Sequence, residues 1–384
     1  MTEKRRRTSI VQAALGSDKA YKAMMPPLYM SSTFEIGGLE QKAPYEYSRT
    51  RNPTRDGLAD AMSQLEQGVG ACVTSSGMAA LTLIVHLLNP DDLLIAPYDC
   101  YGRSYRLLCA LSEKGHFKLK FVDEYNQDSV EQAFAEEKPA MVLIESPSNP
   151  VMRIADISDI ATRAKECGAI TVVDNTFLSP MLQQPLLLGA DIVFHSTTKF
   201  LNGHSDIVGG CVVTSRDDIL VDLEFWANSL GVIGAPFDSY MTLRGMRTLE
   251  LRVHRAQENA EIIAQMLDGH DAVNNVYYPG LKTHPGHEIA QKQQEGYGAM
   301  LSFEIKASKS KLASFIDNLE IFRLAQSLGG TESLINHPAT MTHVSMGEEA
   351  RIKAGVTDQL FRLSIGVEHI DDLISDLVHA LDQI

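Results

Sequence analysis

The chain has 384 residues, of which 44% are hydrophobic and 22% charged, a globular balance that excludes a disordered, collagenous or low-complexity chain. Its 34 basic and 49 acidic side chains leave a net charge of −15, a sign that speaks against a nucleic-acid partner. No run of about 18 apolar residues occurs, so no membrane-spanning helix is expected; the 5 cysteines, none in a CxxC pair, read as reduced thiols in a cytoplasmic protein without a zinc framework.

The basic run Lys4, Arg5, Arg6 and Arg7 is followed by Thr8, Ser9, Gln12 and Gly16, too polar for the apolar core of a signal peptide, and reads as a solvated arm. Residues 1–60 look irregular throughout, and their Tyr- and Arg-rich stretch 45–55 has the make-up of an arm that reaches a neighbouring molecule. Short apolar runs then follow at 71–74, 93–97, 119–122, 141–145, 170–174, 192–195 and 211–214, separated by helical patterns at 78–88, 103–114, 129–137 and 157–167. Continuous apolar strands alternating with helices predict βαβ units and a mostly parallel seven-stranded sheet buried on both faces. A long helix over 249–267, strands at 300–305 and 361–365 and helices at 309–319 and 370–381 predict a smaller α+β domain. The expected division is an arm over 1–60, a large α/β domain over 61–248 and a small domain over 249–384.

Neither a GxxxxGK[ST] loop nor a dinucleotide fingerprint is present, and HExxH and GxSxG are missing as well. His284 and His287 lie in a Pro/Gly loop and are not expected to bind metal. Parallel sheets bind ligands at the carboxyl ends of their strands. After 71–74 come Ser75, Ser76, Gly77 and Met78 and then an apolar helix; such a turn offers N–H groups and a positive dipole end to phosphate, although a plain N-cap has the same look. After 141–145 a loop stiffened by Pro147 and Pro150 leaves Asn149 as a directed polar group. The run 170–174 ends on Asp174, a costly charge at the end of a buried strand unless something positive meets it. The run 192–195 leads into Ser196, Thr197, Thr198 and Lys199, and the lysine is equally out of place unless paired or modified. One helical crossover separates Asp174 from Lys199, which puts both on the same edge of the sheet. Pyridoxal 5′-phosphate (PLP) reconciles these features. Its aldehyde needs the amine of Lys199, its ring nitrogen the carboxylate of Asp174, and its phosphate the cradle formed by Ser76, Gly77, Met78, Ser196 and Thr198.

Three strings carry a resemblance: Val-Asp-Asn-Thr-Phe at 173–177, His-Ser-Thr-Thr-Lys-Phe-Leu-Asn-Gly-His at 195–204 and Leu-Arg-Gly-Met-Arg-Thr-Leu at 243–249. They resemble the Cys/Met-metabolism family of PLP enzymes, nearly end to end. The resemblance implies the fold-type-I, aminotransferase-like architecture and a homotetramer. It implies that Lys199 bonds the cofactor and shuttles protons, that Tyr101 stacks on the ring and takes part in acid–base steps, and that Asn149 hydrogen-bonds on the ring-hydroxyl side. Ser327 and Arg362 would hold a substrate α-carboxylate, a task that suits the arginine fork. Tyr47 and Arg49 would reach the phosphate of a neighbouring subunit.

Residues 47–49, 99–106, 296–303 and 335–343 are most similar to the branch of the family in which cysteine displaces succinate from O-succinylhomoserine to give cystathionine. Arg106 is the candidate for the second carboxylate of a succinyl group, and Glu46 is the local acid that would otherwise pair with it. Gln326 departs from the glutamate that members often carry before the Ser-Leu-Gly-Gly run at 327–330. It keeps the hydrogen bonding and loses the charge, so Gln326, like Glu46, stands with the substrate-side candidates. That departure leaves the γ-lyases and O-acylhomoserine sulfhydrylases of the family as rival readings. A PLP-holding regulatory protein is the rival from another class, and no interaction module supports it.

Overall fold

The computed structural model describes residues 5–344 and 348–384; Lys4 of the basic run lies outside the described residues. The seven apolar runs form one sheet. Its strands are β1 (Gly70–Thr74), β2 (Leu93–Pro97), β3 (Lys118–Val122), β4 (Met141–Glu145), β5 (Ile170–Asp174), β6 (Ile192–His195) and β7 (Gly210–Thr214), in the order β1-β7-β6-β5-β4-β2-β3. β7 runs antiparallel to both neighbours, and every other pairing is parallel.

Both faces are covered, as continuous apolar strands require. Successive residues of one strand enter different cores: Val172, Ile192 and Phe194 pack on one face, Val173 and Val193 on the other. The crossover helices are bounded by local chemistry. Ile157–Cys167, for example, starts where Asp156 Oδ1 accepts the Asp159 N–H at 3.0 Å and stops at Gly168, which takes φ 76°, a conformation that suits glycine.

Two helices, Arg6–Val11 and Pro53–Glu66, lie in or start within the stretch that reads as irregular, and Arg6 of the basic run is not a solvated arm but donates to Pro180 O and Met181 O. Pro53–Glu66 begins where Asn52 Oδ1 accepts the N–H groups of Thr54 (2.9 Å) and Arg55 (3.4 Å), with Pro53 at the first helical position. Leu58, Met62 and Leu65 are buried against β1 and the helix Pro236–Met246. The polar, Arg-rich residues just before it hide this start.

The second sheet holds β8 (Val273–Tyr277), β9 (Met300–Ile305), β10 (Arg323–Leu324), β11 (Leu334–Asn336) and β12 (Leu360–Ser364), in the order β10-β11-β12-β9-β8. All pairings but β10–β11 are antiparallel. Phe303, Phe315 and Phe361 form its aromatic centre, the last two with ring centroids 5.3 Å apart. The long helix Leu249–Asp268 serves both cores: Val253 and Ala256 pack in the first, Ile263 and Leu267 in the second. No helix among the described residues is long and apolar enough to cross a membrane.

Candidate active site

A cavity of about 370 Å³ opens over the carboxyl ends of β4, β5 and β6, where the second sheet faces the first, a size typical of small-molecule sites. Twelve of the residues singled out from sequence line it: Ser76, Gly77, Met78, Tyr101, Asn149, Asp174, Ser196, Thr198, Lys199, Gln326, Ser327 and Arg362. Glu145, Thr176, Phe177 and Thr342, which the sequence did not single out, line it as well. Tyr47, Arg49, Glu46 and Arg106 do not. Glu46 and Arg106 are exposed. Arg49 lies beside the exposed Tyr47 ring and donates to Asn228 O at 2.9 Å, on the rim of a separate hollow of about 590 Å³.

The floor is made by strand ends. Asp174 closes β5; Thr176 donates its N–H to Asp174 Oδ1 at 2.9 Å and accepts the Ser196 N–H at 2.9 Å. Burial pushes the Asp174 carboxyl up; the Thr176 hydrogen bonds and the charge of His195 act the other way. Its register partner on β4 is Glu145, which burial and the Asp174 charge push well above the usual carboxylate range. Glu145 accepts two backbone N–H groups, from Tyr101 at Oε2 (2.9 Å) and Asn149 at Oε1 (3.1 Å). It thereby fixes two residues of the cavity at once.

Lys199 sits in the turn after β6, and its Nζ donates to Ser327 Oγ at 2.7 Å. Burial, with the Arg362 charge second, lowers the amine from 10.5 to about 8, so a fraction is neutral and nucleophilic near neutral pH. One end of the cavity is the start of the helix Gly77–Val85, whose first residues are Gly77 and Met78. Ser76 is its N-cap, accepting the Ala79 N–H at 3.0 Å. A Cβ at Gly77 would stand 2.8 Å from Ser196 Cβ, so only glycine lets the helix start lie against Ser196.

The wall comes from the second sheet. Arg362, on β12 and 2% exposed, donates from Nη1 to Asn149 Oδ1 and from Nη2 to Ser327 O, both at 2.9 Å. Its Nε is buried without a partner. Ser327 has φ 101°, a conformation non-glycine residues rarely adopt and one often found at functional sites. Gly329 (φ 76°) brings this loop onto the lysine turn: a Cβ there would meet Phe200 N at 2.6 Å and Lys199 C at 3.0 Å.

These features fit PLP on their own terms: a half-buried aspartate without a salt-bridging cation among the described residues, a glycine-cut helix start, a partly neutral lysine and an orphaned guanidinium N–H. By contrast, no group of three or more His, Cys, Asp or Glu among the described residues is placed to hold a metal ion. His284 and His287 engage the local backbone instead.

Fold and site together define a PLP-dependent enzyme of fold type I. The chain belongs to the family described as Cys/Met metabolism PLP-dependent enzyme, whose model matches residues 7–382. It is similar to the cystathionine gamma-synthase of Escherichia coli (strain K12), 49% identical over 96% of each chain. It is also similar to a cystathionine beta-lyase of Lactococcus lactis subsp. cremoris, 44% identical over 98% of this chain and 99% of that one. Among solved structures it resembles the cystathionine gamma synthase of Xanthomonas oryzae pv. oryzae in complex with aminoacrylate and cysteine. That likeness has a TM-score of 0.98 and 51% identity, covering 100% of this chain and 99% of the other. The chain is thus a PLP-dependent enzyme of the cystathionine synthase and lyase group.

Proposed function

We propose that this enzyme joins O-succinylhomoserine and L-cysteine into cystathionine and releases succinate, and that it works as an oligomer. One observation carries the amino-acid chemistry: a partly neutral Lys199 amine and Arg362, whose buried Nε–H has no partner, line one cavity. Likeness to γ-synthases over the whole chain favours this reaction among those of the family.

When bound, PLP supplies an aldehyde that bonds amino groups and a ring that draws electrons from the carbon beside them. Asp174 keeps the proton on the ring nitrogen. Ser76, Gly77, Met78, Ser196 and Thr198 bind the phosphate, Asn149 and Tyr101 orient the ring, and Tyr47 and Arg49 complete the phosphate site of a neighbouring subunit. Arg362 binds the substrate α-carboxylate through its free Nε–H and one Nη, a charge-assisted pair. Lys199 Nζ, kept in reach by Ser327 Oγ, takes the proton from the α-carbon and later returns one. At the γ-carbon the C–O bond to succinate breaks with its electron pair and a C–S bond to cysteine forms; the thiol proton passes to solvent. Arg106 is exposed and does not line the cavity within this chain, so the choice of a succinyl ester rests on the likeness to γ-synthases.

The test is incubation of the pure protein with O-succinylhomoserine, with and without cysteine, and identification of the products by mass. Cystathionine and succinate are expected with cysteine, 2-oxobutyrate and ammonia without it. The 44%-identical β-lyase favours a second reading, cleavage of cystathionine. Faster turnover of cystathionine alone than of the ester with cysteine would decide for it.

A further inference from the structure

Arg362 has no acidic partner among the described residues, and its Nη atoms are held by neutral acceptors. One of these is the side chain of Asn149, so the guanidinium is only as well placed as that residue. Asn149 is gripped at three points. Its N–H donates to Glu145 Oε1 at 3.1 Å, its Oδ1 accepts from Arg362 at 2.9 Å, and its carbonyl oxygen lies 3.2 Å from His343 Nε2.

His343 is fully buried and does not itself line the cavity; no step above uses it. A carbonyl oxygen only accepts, so Nε2 carries the hydrogen. Nδ1 is then the acceptor of a neutral ring; it lies 2.9 Å from Thr342 Oγ1, whose hydroxyl also reaches Asn336 Oδ1 at 3.2 Å, so the two acceptors share one hydroxyl hydrogen. Neutrality follows from the surroundings: burial and the neighbouring Arg362 charge lower the imidazole to about 4.

We infer that His343 is a positioning residue for the carboxylate-binding arginine. From the second sheet's side it fixes the Asn149 carbonyl of the first, while Arg362 holds the Asn149 side chain. The two contacts form a clamp that sets the angle at which Nε–H meets the substrate. The inference rests on the role given to Arg362 above.

The test is steady-state kinetics of the holoenzyme with His343→Gln and His343→Asn. A glutamine amide nitrogen reaches the place of Nε2, an asparagine nitrogen only that of Nδ1. His343→Gln is expected to keep KM for O-succinylhomoserine within about threefold, and His343→Asn to raise it about tenfold with kcat within about twofold, the scale of one buried hydrogen bond. Inhibition by propionate, a carboxylate with no amine, should weaken in parallel. His343→Leu replaces the asparagine variant if that does not fold. Equal KM values for the paired variants, or a fall in kcat without a change in KM and propionate binding, overturn the inference. Arg362→Ala separates the two failures. If it leaves KM and propionate inhibition unchanged, the role of Arg362 is wrong; if it changes both and the His343 pair does not, only the inference is.

Discussion

The floor and the wall of the cavity are built in opposite ways. The floor pairs Glu145 and Asp174, fixed at neighbouring strand ends by sheet register, with Lys199 in the turn after β6, all three pressed toward neutrality by burial. The wall is drawn from distant segments, Ser327, Thr342 and Arg362, and its one charge is held by neutral oxygens with an N–H to spare. A buried charge with no partner is costly, so the floor is suited to a permanent occupant. A wall whose donor is unspent is suited to a transient one. Changes to the floor should therefore act on kcat, and changes to the wall on KM.

Lys199→Ala should have the largest effect: kcat lower by at least about 10³-fold, near the upper range for a lost base and nucleophile. After borohydride reduction and dialysis this variant should be colourless, while the parent retains its cofactor. Asp174→Asn keeps the shape and removes the charge; kcat should fall roughly 10²-fold or more, as for other preorganised electrostatic partners, with KM much less affected. Arg362→Ala should reverse this split, raising KM roughly 10- to 100-fold through the loss of a charge-assisted hydrogen bond. If floor and wall variants gave the same split in steady-state assays, the contrast would be broken.

The smallest effect concerns the one place where the two regions couple. Only the neutral amine attacks an aldehyde, so the rate at which cofactor-free protein captures PLP should rise with pH through about 8, well below the ordinary 10.5. Removing the Arg362 charge should move this midpoint upward, since that charge is the second cause of the shift. The same displacement acts on stability. The folded chain releases this proton more readily than the unfolded one, so the Lys199 contribution destabilises below pH 8 and is relieved between about 8 and 10.5. Thermal melts of the cofactor-free parent and Lys199→Met across that window should converge at its upper end.

What was legible in the sequence follows the same division. β5 and β6 are continuous apolar runs, and Asp174 and Lys199 stand out because charges rarely end such runs without a purpose. Glu145 ends β4 in the same manner, yet its partners are the backbone N–H groups of Tyr101 and Asn149, which no linear pattern displays. The helix Pro53–Glu66 announces itself by Asn52, Pro53 and the spacing of Leu58, Met62 and Leu65, but the arginines before it dominate the local composition. The wall is hardly visible from periodicity. β10 and β11 are two and three residues long, and β8 exposes Asn274 and Asn275. Arg362 and Ser327 emerge only through their likeness to a family. The charge of Arg106 does not reveal that it faces water.

At Gly329 the segment bearing Ser327 rests on the turn bearing Lys199 without any intervening side chain. The spacing of the two backbone segments that carry the amine and the hydroxyl is thus a main-chain dimension. On the proposed function, exchange of Gln326 or Thr342, which line the same cavity, would leave that backbone spacing in place. Evolution of selectivity in this scaffold is in that sense decoupled from evolution of rate, and the hinge of the decoupling is a single absent methyl.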